Sequence, residues 1–340
     1  MNTAGFVKCA GALIALALCS ACALRQAQDG MAVPPSSAAL NAGYTGYVGK
    51  TLSVNGRLVT AAHSNPSAPL RFAPIAPDFQ PKEKFEYIIN FYGTYASIFD
   101  WPKSDRQIGT IENVGGQGCT NVLYGYGRRT FWIVAGANQI SLYQVPQKLI
   151  KTLSISNGQP SSCAMDLSGD LAVGNLSNGD IILFKGASGS GTVMATPLAR
   201  EYFDGYDNKG NLFFDGFTRG SAFQLDELPK GTTKIHTITT SNTVQFPGSV
   251  QWDGTYLTVT DQTADAMYRY TVSGTKATLK GTTKLKGSGD CAQTWIATGV
   301  VFCGDADAGG EVYKYPAGGS PIAVFSGAFD EPLGVVAARR

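Results

Sequence analysis

Five polar side chains recur at the ends of apolar runs, and their type makes them the first candidates for chemistry. They are Asn90, Asn175, Asp215, Asp261 and Asp305. Carboxylate and amide oxygens that converge from separate segments can seat a ligand or a cation. The same residues at strand ends also accept hydrogen bonds from loop amides, and a feature repeated along a chain points to a structural duty repeated with it. The densest acidic loop is Asp305-Ala306-Asp307-Ala308-Gly309-Gly310-Glu311. Calcium takes about six to eight oxygens. This loop supplies three carboxylates without the spacing of a complete calcium loop, so a solvated turn is expected and calcium is the alternative. Histidine chemistry has little to draw on: the chain has 2 histidines, His63 and His236. His236 lies in the alternating run Lys234-Ile235-His236-Thr237-Ile238, which reads as an outer strand, so no Ser-His-Asp set is expected. The sequence assigns no catalytic residue and no metal ligand.

The elements that must position these residues are short strands, repeated at a near-constant interval. An aromatic or leucine closes an alternating run at Trp101, Tyr143, Phe184, Leu225, Tyr270 and Tyr315, at spacings of 42, 41, 41, 45 and 45 residues. A turn glycine between apolar runs recurs at Gly127, Gly169, Gly210, Gly254 and Gly299, spaced by 42, 41, 44 and 45. A period a little over forty residues, built of β runs without helical stretches, predicts radial repetition of four-stranded sheets. The expected fold is all-β, a six-bladed β-propeller of four-stranded antiparallel blades. Pro332 to Ala338 reads as an inner strand without its partner, and Phe85 to Asn90 supplies that partner. Their pairing closes the ring and removes the exposed edges of an open array.

Charge excludes more than it suggests. With 27 basic and 25 acidic residues in 340 and no long run of either sign, nothing steers the chain to nucleic acid or to an anionic membrane surface. Residues 1–23 combine Lys8, the apolar run Ala10 to Leu18 and small residues around Cys19 to Cys22, the pattern of an export signal. Seven of the 16 prolines fall between Pro34 and Pro81, so residues 24–83 read as an extended linker, with the propeller at 84–340.

Leu18-Cys19-Ser20-Ala21-Cys22 resembles a bacterial lipobox, which implies lipid attachment at Cys22. Cys19 stands where that motif usually has leucine, and cleavage after Ala21-Cys22-Ala23 is the alternative. The repeated form in Leu257-Thr258-Val259-Thr260-Asp261 followed by Met267-Tyr268-Arg269-Tyr270 resembles the NHL-repeat and gluconolactonase-like group of six-bladed propellers, over residues 85–340. That resemblance implies blades, not chemistry, because the group includes binding scaffolds and metal-dependent hydrolases. An enzyme of the lactonase type needs a metal in the channel. The inner-strand candidates are Asn121, Asp166, Asp207, Gln251 and Thr294, which do not match the group's metal motif residue by residue. The expected function is an exported, lipid-anchored binding or assembly module in the cell envelope, with an unnamed envelope protein or small ligand as partner. A calcium-dependent lactonase-like hydrolase or lyase is the alternative.

Four cysteines, Cys119, Cys163, Cys291 and Cys303, fall in the predicted propeller. In an exported chain they read as disulfides. Cys291 and Cys303 meet across one hairpin, and Cys119 and Cys163 begin neighbouring inner strands. Four buried free thiols are the alternative.

Overall fold

The computed structural model describes residues 51–54, 57–60, 84–90 and most of 95–339, excepting 103, 122–129, 135–137, 156–157, 298, 308, 326, 328 and 330. Cys22, the export signal and Gly127 lie outside the described residues. Strands account for nearly all regular structure. A hairpin of β1 (Thr51–Val54) and β2 (Arg57–Thr60) comes first, inside the segment expected to run unpaired. Leu52 pairs with Val59 and Val54 with Arg57, a four-residue ladder within the span 24–83.

Among the described residues the remaining strands form four sheets of four and one of eight, which divide along the chain into sets of four antiparallel strands. The first set joins β3 (Lys84–Asn90), β4 (Tyr95–Phe99) and β5 (Gln107–Glu112) to the distant β26 (Pro332–Arg339), which pairs with β3 from Pro332↔Asn90 to Arg339↔Lys84. The second holds β6 (Gly118–Asn121), β7 (Thr130–Val134), β8 (Gln139–Gln144) and β9 (Lys148–Ser154). The third holds β10 (Pro160–Met165), β11 (Leu171–Asn175), β12 (Ile181–Phe184) and β13 (Thr192–Met194). The fourth holds β14 (Arg200–Tyr206), β15 (Leu212–Phe217), β16 (Phe223–Leu228) and β17 (His236–Thr240). The fifth holds β18 (Pro247–Trp252), β19 (Leu257–Asp261), β20 (Ala266–Ser273) and β21 (Lys276–Lys284). The last holds β22 (Cys291–Ala297), β23 (Val300–Asp305), β24 (Gly309–Lys314) and β25 (Ala323–Phe325). The fourth and fifth sets merge into one eight-stranded sheet, because β17 and β21 pair in parallel at Thr239↔Lys276 and Thr240↔Ala277.

The first strands form a closed cycle: β6 lies on β10, β10 on β14, β14 on β18, β18 on β22, β22 on β26 and β26 on β6. Burial follows position in each set. The second strands β11, β15 and β19 are covered on both faces and are apolar in successive residues, as in Leu171-Ala172-Val173 and Leu212-Phe213-Phe214. The outer β9 alternates between exposed and partly covered residues over most of its length. Six third-strand side chains opposite the start of each second strand seal the sheets: Phe99, Tyr143, Phe184, Leu228, Tyr270 and Tyr313, all buried. The expected anchors at Tyr143, Phe184 and Tyr270 are among them. Those at Trp101, Leu225 and Tyr315 are displaced by two or three residues, because other apolar residues near the strand ends mimic the signal. The turn glycines Gly169, Gly210, Gly254 and Gly299 have φ of +95°, +84°, +100° and +76°, a backbone region that side chains with a Cβ rarely enter.

Candidate functional site

The strand-end residues divide into two groups by register. Asn175, Asp261 and Asp305 occupy equivalent places, opposite Pro160, Pro247 and Cys291 of their first strands. Each closes its own loops. Asn175 Oδ1 accepts from the amides of Gln159 (3.0 Å) and Ser177 (3.1 Å). Asp261 accepts from Gln245 (2.9 Å), Phe246 (3.3 Å) and Ala264 (3.2 Å). Asp305 accepts from Gly289 (2.8 Å), Asp290 (3.3 Å) and Asp307 (2.9 Å). Asn90 pairs with Pro332 at the matching position of β3, and Asp307 is an exposed turn residue.

Asp215 does not belong to this rim. It lies opposite Phe203, one residue before the equivalent position, which Gly216 occupies opposite Glu201. Because successive strand residues face opposite sides, that one-residue offset turns Asp215 to the other face of the sheet. Its counterparts in the other sets are Ile89, Ile133, Gly174, Thr260 and Gly304.

That offset reveals a buried acidic cluster the sequence reading missed. Glu201 and Asp204 on β14 and Asp215 on β15 are at most 7% exposed. Glu201 stands where the other first strands carry Pro160, Pro247, Cys291 and Pro332, and Asp204 where they carry Cys163, Val250, Thr294 and Val335. All three acids therefore break the repeat, and all three sit in one set. Glu201 accepts from Ser161 Oγ (2.9 Å) and Ser162 Oγ (2.8 Å) on the neighbouring β10. A Cβ on Gly174 would overlap its carboxyl group, so glycine at 174 leaves the space that Glu201 fills. Burial holds Glu201 well above the usual carboxylate range, and the nearby Asp204 adds to the rise. Burial pushes Asp204 up to about 8, opposed by the neighbouring Ser162 hydroxyl. Asp215 is raised by burial and by Glu201, against the amides of Gly248 and Phe203. Neither oxygen of Asp204 or Asp215 has a hydrogen bond of normal geometry.

Asp204 faces a cavity of about 210 Å³ enclosed by the first strands. Its wall runs through Ala164 and Met165 of β10, Phe203 to Tyr206 of β14, Val250 to Trp252 of β18, and Thr294 and Trp295 of β22. Gln117 and Gln293 span the end where the first strands begin. Gln117 Nε2 donates to Tyr202 O (2.9 Å), and Gln293 donates to Gly118 O (2.8 Å) while accepting from Val335 N (2.8 Å). Each bond joins strands that are not neighbours in the cycle or ties in a third, so the two amides lace the ring together. Gln251 Oε1 accepts from Ile296 N (2.8 Å), and Thr294 meets Thr260 at 3.2 Å. Asp166 and Asp207, expected as inner-strand candidates, cap their own hairpin turns through the amides of Ser168 (2.9 Å) and Asp170 (2.8 Å), and of Lys209 (2.8 Å) and Asn211 (2.9 Å). Asn121 ends β6, and half-exposed His236 pairs with Glu227 at the outer edge.

The residues lining the cavity do not fit a calcium centre of the lactonase type. Asp204 is the one carboxylate among them, and the amides of Gln251 and Gln293 are committed to backbone groups. Cys303, Asp305 and Glu311 also lie together. The Cys303 sulfur is bonded to Cys291, the Asp305 oxygens take loop amides, and Glu311 takes the Tyr313 hydroxyl, so these donors are in use. Both disulfides read from the sequence are present: Cys119–Cys163 and Cys291–Cys303, each with Cα atoms 5.7 Å apart. Cys119 and Cys163 belong to neighbouring first strands and border the cavity.

An all-β, propeller-like fold with a polar cavity on its axis defines the class. No family model matches the chain, and no curated protein matches it. Solved structures do. A chain of the nidogen/laminin complex superposes with a TM-score of 0.60 at 9% identity, over 75% of this chain and 98% of that one. A protein of unknown function from Bacteroides caccae superposes with a TM-score of 0.56 at 9% identity, over 76% of this chain and all of that one, 100%. At such identities the likeness concerns the fold alone.

Proposed function

We propose that this chain is an exported, six-bladed β-propeller that serves as a binding module, with the axial cavity as its ligand seat. The carrying observation is the departure of one blade from the repeat. Glu201, Asp204 and Asp215 replace apolar, hydroxyl or glycine residues at three positions of the fourth set, and Asp204 borders the cavity. Buried acids weaken a scaffold, so a repeat protein that concentrates them in one blade spends stability on something other than the scaffold. Six sets of four strands and the cycle of first strands support the blade count, and β26 on β3 supports closure of the ring.

The envelope setting rests on sequence alone: the export pattern of residues 1–23 and the lipobox resemblance at Cys22. Two disulfides accord with an oxidising compartment. In a bacterial host, Cys22→Ala is expected to move the protein from the membrane fraction to the soluble one. Unchanged fractionation, or a mature N-terminus at Leu24, refutes the lipid anchor.

Native mass spectrometry of the purified chain tests the ligand seat. A small molecule that co-purifies with the parent and is lost from a Met165→Trp variant, which enlarges a partly buried residue of the cavity wall, supports it. Retention of the same molecule by that variant, with cooperative unfolding preserved, refutes it.

A further inference from the structure

Among the described residues of the cavity wall, two polar groups lack a hydrogen bond of normal geometry, and they are of opposite kind. The Asp204 side chain is 7% exposed, lines the cavity, and has no hydrogen bond of normal geometry at either oxygen, the Ser162 hydroxyl being its polar neighbour. The Trp252 indole Nε1 is buried, also in the wall, and donates to nothing. A buried donor or acceptor without a partner costs about 1–3 kcal/mol, and native structures keep few of them. The two could satisfy each other only if they met, and they do not. A molecule in the cavity that offers a donor to Asp204 and an acceptor to Trp252 completes both.

The sign of that donor follows from the rest of the wall. Among the described lining residues no lysine, arginine or histidine is present to neutralise Asp204. The neighbouring Glu201 and Asp215 are acids raised by burial and supply no cation either, and the Ser162 hydroxyl donates to Glu201 at 2.8 Å. Aromatic faces complete the surroundings: Tyr206, Trp252 and Trp295 border the cavity, and Trp295 also packs against three separate hydrophobic clusters, which fixes its ring. A carboxylate beside indole and phenol rings, with no competing cation, is an environment that favours an ammonium group over a neutral one.

We propose that the axial cavity binds a small molecule carrying a protonated primary amine beside a hydrogen-bond acceptor, with Asp204 as counter-ion and the Trp252 N–H as donor to the acceptor. This rests on the reading of the cavity as the ligand seat and names the ligand's class. The volume, about 210 Å³, holds one compact molecule of amino-alcohol or amino-sugar size, or several waters. Asp204 holds its proton in the empty cavity, releases it to solvent as the protonated amine enters, and so gives the amine its ion pair.

Calorimetric titration of the full chain with ethanolamine and glucosamine, each beside its neutral counterpart ethylene glycol or glucose, tests the proposal. Both amines are expected to bind at least about tenfold more tightly than their counterparts, the ratio a charge-assisted hydrogen bond supports. Asp204→Asn is expected to abolish that ratio while unfolding as cooperatively as the parent, and Asp204→Glu to retain part of it. Trp252→Phe is expected to weaken both amines severalfold and keep the ratio. Equal affinity for amines and neutral counterparts, or an amine preference that survives Asp204→Asn, overturns the amine assignment and leaves the ligand seat to the co-purification test. Absence of binding by all four probes overturns the assignment as well.

Discussion

The two disulfides are equal in Cα separation and unequal in the chain they close, and that difference is measurable. Cys119–Cys163 spans 44 residues and joins two sets, whereas Cys291–Cys303 spans 12 within one hairpin. A cross-link stabilises mainly by restricting the unfolded chain, with an entropy that grows with the logarithm of the loop. For loops of these lengths the term is about 4 kcal/mol for Cys119–Cys163 and about 3 kcal/mol for Cys291–Cys303. The paired substitutions Cys119→Ala with Cys163→Ala, and Cys291→Ala with Cys303→Ala, remove one bridge each. All four side chains are at most 4% exposed, so the cost of lost sulfur packing is similar in both variants and cancels in the comparison. Urea denaturation is expected to show the first variant about 1 kcal/mol less stable than the second, with its Tm lower by about 2–4 °C. Equal losses, or a larger loss for the hairpin pair, refute the argument that loop closure governs their contribution. Four thiols alkylated in the unfolded, unreduced protein refute its premise.

Three further outcomes follow from the buried acids and from β26. The Asp204 carboxyl is raised to about 8 in the fold, so its proton is held by the native chain and released by the unfolded one across the neutral range. Its stabilising contribution is complete below the unfolded value and is lost as pH rises to about 8. Stability should therefore fall with rising pH, by about 1.4 kcal/mol per pH unit for this group, and Asp204→Asn should remove that share of the slope. Glu201 and Tyr206 on the same strand, Asp215 on β15 and Ser162 on β10 face the same space, and the slope that remains belongs to the acids among them. Denaturation curves across that range decide it, and an unchanged slope in the variant sinks it. Gly174→Ala should cost about 2–4 kcal/mol by displacing Glu201 from Ser161 and Ser162, and pairing it with Glu201→Ala should recover part of the loss in a double-mutant cycle. Removing Leu333–Arg340 strips the fully buried Val335 and Val336, worth about 3–6 kcal/mol together, from a fold whose total stability is about 5–15 kcal/mol. Loss of a cooperative transition is expected, and a melt like that of the intact chain contradicts closure by β26.

The scaffold was legible because its signals are local and recur. Glycines at positive φ and aromatic strand closures must appear wherever the backbone makes the same turn, so their spacing survives in the sequence. The cluster around Asp204 was not legible in the same way. Finding it requires the register of β14 against β15, and a single-residue displacement moved Asp215 to the rim in the sequence reading. A signal existed in the contrast between Glu201 and the prolines at 160, 247 and 332, but it appears only when first strands are aligned by pairing partner. The β17–β21 ladder was hidden for another reason: Thr239 and Thr240 carry no mark that their partners lie in a different set.

That ladder has a consequence for how the molecule loosens. Outer strands of radial sheets are ordinarily free to fray one set at a time. Here the amide of Thr239 is bonded to Thr275 O (2.8 Å), that of Ser241 to Ala277 O (2.9 Å), and that of Leu279 to Ser241 Oγ (2.8 Å). Strand β17 therefore cannot peel without breaking bonds to β21. Amide exchange at these three positions should report one shared opening event for the two sets, slower than at the unshared outer strand β13, and the set that carries the buried acids is the one held from outside by its neighbour.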